Sequence, residues 1–131
     1  MNPLPVLLRV IGAVQLAFGA LFLLAPTRAG DVLGLGAAAP GWASWLLVML
    51  GARFLGFALG MVLAARDPGA HVGWIDAMIG VQILDWVGTL AFLAAGDIPL
   101  PNVASAVVLP VLFVAGLVLW HPRRARAAVP A

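Results

Sequence analysis

The sequence predicts an all-α integral membrane protein, a bundle of four transmembrane helices. Of the 131 residues, 64% are hydrophobic and only 9% are charged, and the mean hydropathy of +1.13 lies far outside the range of soluble globular domains. Four apolar stretches each reach the length of about 20 residues that a spanning helix needs. We therefore predict a single transmembrane domain over residues 1–122, followed by a short basic cytoplasmic tail over residues 123–131.

The first two predicted spans are residues 5–25 and 45–65. The first span stops at Pro26, and it lacks the basic start and the cleavage site of a signal peptide, so we predict that the helix is retained. Residues 26–44 contain too many glycines and prolines for another span and predict a connecting loop. The second span ends at a tight turn over residues 66–69.

The last two predicted spans are residues 72–95 and 103–120. Glycine and proline in residues 96–101 predict the turn between them. Pro110 lies inside the fourth span, where its missing N–H predicts a kink.

The distribution of charge and tryptophan predicts the orientation. One side of the predicted membrane carries Arg28 alone, whereas the other carries four arginines: Arg66, Arg123, Arg124 and Arg126. The positive-inside rule therefore places both termini and the 66–71 turn in the cytoplasm. We predict a multi-pass protein of the inner (cytoplasmic) membrane. Four of the five tryptophans fall at span ends, where aromatic belts form.

The composition excludes several kinds of chemistry. The chain contains no cysteine, which removes disulfides, thiolate catalysis and iron–sulfur ligation. Its seven basic residues are all arginines, so a Schiff-base lysine is absent as well. His71 and His121 fall on the same predicted side as Asp67, but their spacing does not indicate a metal site. We predict no catalytic residue and no metal, and an enzyme activity is disfavoured.

Six polar or charged residues inside the predicted spans are the candidate site residues. At about 1.5 Å per residue, four of them lie near mid-membrane on three helices: Gln15, Arg53, Gln82 and Asp85. Arg9 and Asp76 lie near the cytoplasmic boundary. Because isolated charges are costly in hydrocarbon, we predict the ion pairs Arg9–Asp76 and Arg53–Asp85, with the glutamines as hydrogen-bonding neighbours.

The mid-membrane cluster allows two interpretations. It is either a structural network of ion pairs that fixes the packing of the helices or the lining of a polar cavity for a lipid headgroup, a quinone-like carbonyl or a proton. The matched charges favour the structural network of ion pairs, because two arginines and two aspartates leave no unpaired carboxylate. The equal spacing of Arg9 to Gln15 and of Asp76 to Gln82 also indicates two parallel helix-hairpin repeats.

Short motifs in the first half of the chain resemble a known family. The motif residues of the first helix, the loop and the second helix are, in order, Arg9, Gly12, Gly19 and Pro26, then LGLG at 33–36, then GARFLGFALG at 51–60. They resemble the DoxX-like superfamily of small bacterial four-helix membrane proteins, in its domain-of-unknown-function branch. The resemblance implies a four-helix membrane fold and, from some relatives, membrane redox chemistry with quinones or thiols. The absence of cysteine argues against a thiol role.

These observations predict a small non-catalytic integral membrane protein. We expect an accessory subunit of a larger membrane complex or a protein that binds a lipophile or quinone, with no cofactor other than such a bound lipid or quinone. The alternative is a small transporter or channel that uses the mid-membrane Arg, Asp and Gln cluster. The expected partners are membrane lipid and either other membrane subunits or further copies of this chain, and not nucleic acid.

Overall fold

The structure, a computed structural model, describes residues 3–34 and 40–123, and all regular structure in this part of the chain is helical. The helices are α1 Leu4–Leu24, α2 Pro26–Val32, α3 Gly41–Arg66, α4 Val72–Ala95 and α5 Leu100–Leu119. Residues 35–39 of the predicted loop, with the second half of its LGLG motif, lie outside the described residues. So do residues 124–131 of the predicted tail, with Arg124 and Arg126.

Four of the helices coincide with the predicted spans. α1, α3, α4 and α5 are between 20 and 26 residues long and apolar enough to cross a membrane, which by length and composition indicates a multi-pass membrane protein. α1 begins one residue earlier than predicted, and two other spans begin earlier by three or four residues. α3 starts directly after the extended Pro40 and α5 directly after the extended Pro99, because proline is compatible with the position where a helix begins.

The segment predicted as a loop contains a short helix, α2. Ala25 leaves the helical region with φ −142° and ψ 59°, and Pro26 then starts α2 at a position where its fixed φ favours a new helix. Ala29 of α2 is fully buried in a cluster with Phe22 and Leu47. The loop prediction is therefore wrong over α2, because contact with α1 and α3 stabilises a helix too short to persist alone.

The four candidate membrane spans, α1, α3, α4 and α5, are called the spanning helices below, and they form two hairpins. α1 and α3 make the most extensive contact and α4 with α5 the next, while α3 with α4 and α1 with α5 touch over much smaller areas. Two glycines let α1 and α3 approach closely. A Cβ on Gly19 would lie 3.1 Å from the carbonyl oxygen of Gly51, and a Cβ on Gly51 would lie 3.0 Å from that of Gly19. This pairing agrees with two helix hairpins, and the parallel relation between them stays a prediction.

The two ends of the bundle are packed differently. The near end carries Leu4, Arg66, Val72 and Leu119, and the far end is the opposite one. At the near end a core joins all four spanning helices, formed by Leu4, Leu8, Ile11, Met61, Ala64, Ala65, Ile75, Met78, Phe113 and Leu117. At the far end the buried core joins only α1, α2 and α3, through Phe22, Ala29 and Leu47.

The far halves of α4 and α5 contribute little to either core. The buried residues of α4 are Ile75, Met78 and Gln82, and those of α5 begin at Pro110. α5 departs from helical dihedrals at Val103, with φ −126° and ψ 15°, whereas the backbone at Pro110, where the sequence predicts a kink, keeps helical dihedrals. The hairpins are thus held together at the near end and leave space between them toward the far end.

Candidate functional site

A cavity opens between the two hairpins where the near-end core stops. Its volume is about 180 Å³, and side chains from α1, α3, α4 and α5 line it together with Leu33, which follows α2. The polar lining residues are Gln15, Gln82, Asp85, Asn102 and Ser105. An apolar cavity with a few polar groups is the usual form of a small-molecule site, so this cavity is the candidate functional site.

Two glutamines and a methionine lie at the near side of the cavity. Gln15 and Gln82 are only 5% and 6% exposed, and both donate from Nε2 to the Sδ of Met78, at 3.8 Å and 3.5 Å. A thioether is a weak acceptor, so these bonds hold the two amides loosely. Among the described residues, the Oε1 of Gln15 is a buried oxygen without a hydrogen-bond donor, a state that costs about 1–3 kcal/mol.

Asp85 lies on the cavity wall one turn beyond Gln82. Thr89 donates from Oγ1 to the backbone carbonyl of Asp85 at 2.7 Å and not to its carboxylate. Within residues 3–34 and 40–123, the carboxylate has no hydrogen-bond or ion-pair partner. A lone carboxylate midway along a candidate membrane span is costly, and such groups mark functional sites.

The predicted Arg9–Asp76 pair is absent. Asp76 instead binds the end of α5, with Oδ1 at 3.0 Å from Nε2 of His121 and Oδ2 at 2.9 Å from Nη2 of Arg123. Arg9 is exposed on α1 and forms no ion pair with another described residue. Asp76 binds residues at the end of α5 and not Arg9 of α1, because α4 packs mainly on α5 and has little contact with α1.

The predicted Arg53–Asp85 pair is also absent from the described part of the chain. Arg53 lies as many residues before the end of α3 as Asp85 lies after the start of α4, so their depths match. Arg53 is nevertheless exposed, and it is the neighbouring Phe54 that lines the cavity. Counting residues gives position along a helix axis but not the direction in which a side chain points. Three of the four predicted cluster residues therefore share the cavity, and their role as a binding site stays a prediction.

Three phenylalanines that the sequence analysis did not single out form the aromatic wall of the cavity. The ring centroids of Phe18, Phe22 and Phe54 lie between 5.6 Å and 6.2 Å apart, and all three rings line the cavity. On α1 the signal was present, since Gln15, Phe18 and Phe22 are spaced by three and four residues and share one helix face. Phe54 gave no signal of this kind.

The far rim of the cavity forms where the turn after α2 meets the start of α5. Gly34 has a φ of 76°, and a Cβ at this position would collide with the side chain of Asn102. Leu33 and Asn102 line the cavity beside this contact, and Ser105 follows one turn later on α5. The contact requires glycine both for its backbone conformation and for the space it leaves.

Trp86 links the far halves of α4 and α5. Its Nε1 donates to the carbonyl oxygen of Val107 at 2.9 Å. This bond satisfies the indole N–H of a tryptophan that lies too far from the ends of its helix to belong to an interfacial belt of aromatic residues. Trp86 thus holds the second hairpin together on the side where that hairpin has few buried contacts.

The two histidines lie in separate environments. Nδ1 of His71 is 3.0 Å from the carbonyl oxygen of Asp67, whereas His121 contacts Asp76. In the residues that the structure describes, no three His, Cys, Asp or Glu side chains come together in a way that could hold a metal ion.

Comparisons with known proteins were made at three levels. No family model matches the chain, and no curated protein or solved structure matches it significantly. The resemblance to DoxX-like proteins accordingly stays a prediction from short motifs. The cavity is the basis for a functional proposal.

Proposed function

We propose that this protein is a small non-catalytic membrane protein that binds a lipophilic molecule between its two helix hairpins. The observation that carries the proposal is the cavity that gathers Gln15, Gln82 and Asp85 beside three phenylalanines. The phenylalanines and the aliphatic lining contact the apolar body of the ligand, and the glutamines and the carboxylate contact its head group. This division of roles is typical of small-molecule sites.

The size of the cavity limits the bound part of the ligand. Its volume of about 180 Å³ is close to that of an apolar protein cavity of about 150 Å³ that binds benzene. One ring or one short chain therefore fits, and the remainder of a larger lipid or quinone would extend beyond the cavity. Because the far halves of α4 and α5 have few buried contacts, a ligand displaces little packing on that side.

Arg53 favours an additional role as a subunit of a membrane assembly. It is exposed midway along α3, where an arginine facing lipid is costly. An acidic or polar group from another membrane subunit or from a second copy of the chain removes that cost. In this form of the proposal, the protein is an accessory subunit that holds a bound lipid or quinone beside its partner.

The alternative, a transporter or channel that uses the Arg, Asp and Gln cluster, has less support. A polar pathway through the cluster requires Arg53, which does not line the cavity. The core that packs the four helices at the near end consists of apolar side chains. A continuous polar route would have to open this core.

Mass spectrometry of the protein purified in mild detergent from its native membrane tests the proposal. We expect a lipophilic molecule to co-purify with the unmodified chain and to be lost from the double variant Gln15→Leu, Asp85→Asn. The variant Arg53→Gln is the matched control, because it removes a mid-span polar residue outside the cavity, and it should retain the molecule. A native chain that carries no such molecule would contradict the proposal, and loss from Arg53→Gln would favour the transporter.

A further inference from the structure

The cavity has a carboxyl group without a positive counterpart. Asp85 lines it and, like Arg53, is an exposed residue, and no arginine or histidine is among the described lining residues. Arg53, the partner that the sequence predicts for Asp85, is exposed on α3 and does not line the cavity. The histidine and arginine that do bind a carboxylate, His121 and Arg123, are engaged by Asp76 at the near end.

Two buried or unpaired groups at the cavity, the Oε1 of Gln15 and the carboxylate of Asp85, are acceptors without a donor among the described residues. They lie beside Asn102 and Ser105, which can both donate and accept. The Nε2 donors of Gln15 and Gln82 are both directed at the Sδ of Met78, whereas the Oε1 of Gln15 has no donor. The long bond of 3.8 Å from Gln15 to Sδ is weak enough for the amide to turn its oxygen toward a donor in the cavity. A ligand that satisfies these groups must carry N–H or O–H donors.

The aromatic wall suits a cation. The rings of Phe18, Phe22 and Phe54 form one cluster beside the polar groups. An aromatic ring attracts a cation placed over its face and also packs against an apolar body. The wall therefore accommodates a positive head group and the hydrocarbon attached to it.

We propose that the ligand is a protonated amine with an apolar body, for which Asp85 is the counter-ion and Gln15 the hydrogen-bond acceptor. The inference rests on the proposed ligand-binding function and names the chemical class of the ligand. An ammonium group has three N–H donors and no acceptor, which matches the Oε1 of Gln15 and the carboxylate of Asp85. A quinone carbonyl can accept from Asn102 or Ser105 but satisfies neither of these two groups, and a neutral alcohol satisfies Gln15 but leaves Asp85 without a counter-charge.

Single cysteines provide the test, because the chain contains no cysteine of its own. Ala104 and Ser105 are both exposed on α5, but only Ser105 lines the cavity, so Ser105→Cys places a thiol at the cavity and Ala104→Cys places one outside it. Each variant reacts with three methanethiosulfonates of similar size that carry an ammonium, a sulfonate or a neutral methyl group. The cysteine thiolate attacks the divalent sulfur of the reagent, the bond from that sulfur to the sulfonyl sulfur breaks, a mixed disulfide forms, and methanesulfinate leaves.

We expect the ratio of the ammonium rate to the sulfonate rate to be about tenfold higher at Ser105→Cys than at Ala104→Cys, since a carboxylate in a cleft with apolar walls concentrates cations. Adding Asp85→Asn should reduce the ratio at Ser105→Cys to the control value. Equal ratios at the two positions, or a ratio unchanged by Asp85→Asn, would overturn the amine assignment. The comparison between the two positions holds even if the Asp85 variant does not fold.

The neutral reagent separates failure of this inference from failure of the proposed function. If it labels Ser105→Cys and the charged reagents show no selectivity, the cavity exists but does not select amines. If it labels Ala104→Cys alone, the cavity is closed and the proposed function fails. As a second probe, 2-phenylethylamine at neutral pH should slow labelling of Ser105→Cys more than propylbenzene does, and equal protection would count against the ammonium.

Discussion

The near and far halves of the bundle are built from the same four apolar helices but are held together in different ways. In the near half, residues such as Leu8, Met61, Ile75 and Leu117 from all four helices are fully buried in one core. In the far half, α1 and α3 still meet at Gly19 and Gly51, whereas α4 and α5 contribute to the wall of a cavity.

This difference shows that pairing within a hairpin and docking between hairpins are separate in this fold. Each hairpin has its own contact along its length, through the glycines in the first and through the bond from Trp86 to Val107 in the second. Docking between the hairpins depends on the near-end core. An apolar cavity with a few polar groups can therefore exist in the far half because the near half holds the hairpins together.

The largest effect is expected from truncating the near-end core. Leu8→Ala removes a side chain that is fully buried, and Leu16→Ala removes the same groups from a position on α1 that is 55% exposed. We expect Leu8→Ala to lower the free energy of unfolding by about 3 kcal/mol and Leu16→Ala by less than about 0.5 kcal/mol. Thermal unfolding in detergent measures both, and similar losses would show that the near half is not the packed one.

A smaller loss is expected from widening the contact between α1 and α3. A Cβ on Gly51 meets backbone atoms of Gly19 and Leu23 at 3.0 Å, whereas a Cβ on Gly56 of the same helix meets nothing within 4 Å. Gly51→Ala should destabilise the protein by about 2 kcal/mol, and Gly56→Ala should be neutral or stabilising by up to about 1 kcal/mol. Thermal unfolding in detergent measures both changes. Equal effects of Gly51→Ala and Gly56→Ala would contradict the close contact of α1 and α3 at Gly51.

A gain in stability is expected in the far half. Gln15→Leu removes a buried oxygen that has no donor, so the ligand-free protein should be stabilised by about 1 kcal/mol while ligand binding is lost. Gln82→Leu is the matched control, because Gln82 has no such orphaned atom, and its gain should be smaller. A lower melting temperature for ligand-free Gln15→Leu would show that Gln15 is a structural residue.

The smallest effect is expected at the near end of α5. Asp76 bonds to His121 and to Arg123, whose side chain is 70% exposed, and pairs of this kind contribute less than about 1 kcal/mol. Asp76→Asn should leave the melting temperature nearly unchanged and accelerate amide hydrogen exchange at the end of α5. Asp97→Asn, in the turn before α5, is the control. Loss of the whole fold on Asp76→Asn would mean that the contacts of Asp76 with His121 and Arg123 are needed to hold the two hairpins together.

The spanning helices were predictable because length and apolar composition alone determine them. The helix α2 was not, because its formation depends on the burial of Ala29 against α1 and α3. The starts of α3 and α5 were placed too late, since prolines at 40 and 99 introduce these helices instead of interrupting them.

The candidate site was predictable in part. Gln15, Gln82 and Asp85 stand out in an apolar sequence, and the structure gathers them at one cavity. The predicted partner of Asp85 was wrong, because matched depth does not give the rotation of α3, and Arg53 does not line the cavity. Asn102 and Ser105 could not be foreseen either, since they reach the cavity only through the way the second hairpin docks on the first.

The most direct test of the contrast between the two halves is the accessibility of a single thiol in each. Ser105→Cys lies in the cavity of the far half, and Ala64→Cys lies in the near-end core, where the native alanine is fully buried. With neutral methyl methanethiosulfonate and the folded protein in mild detergent, we predict that Ser105→Cys reacts at least about tenfold faster, because a thiol in the core reacts only after local opening. Equal rates, or a faster reaction at Ala64→Cys, would contradict a packed near half and an open far half.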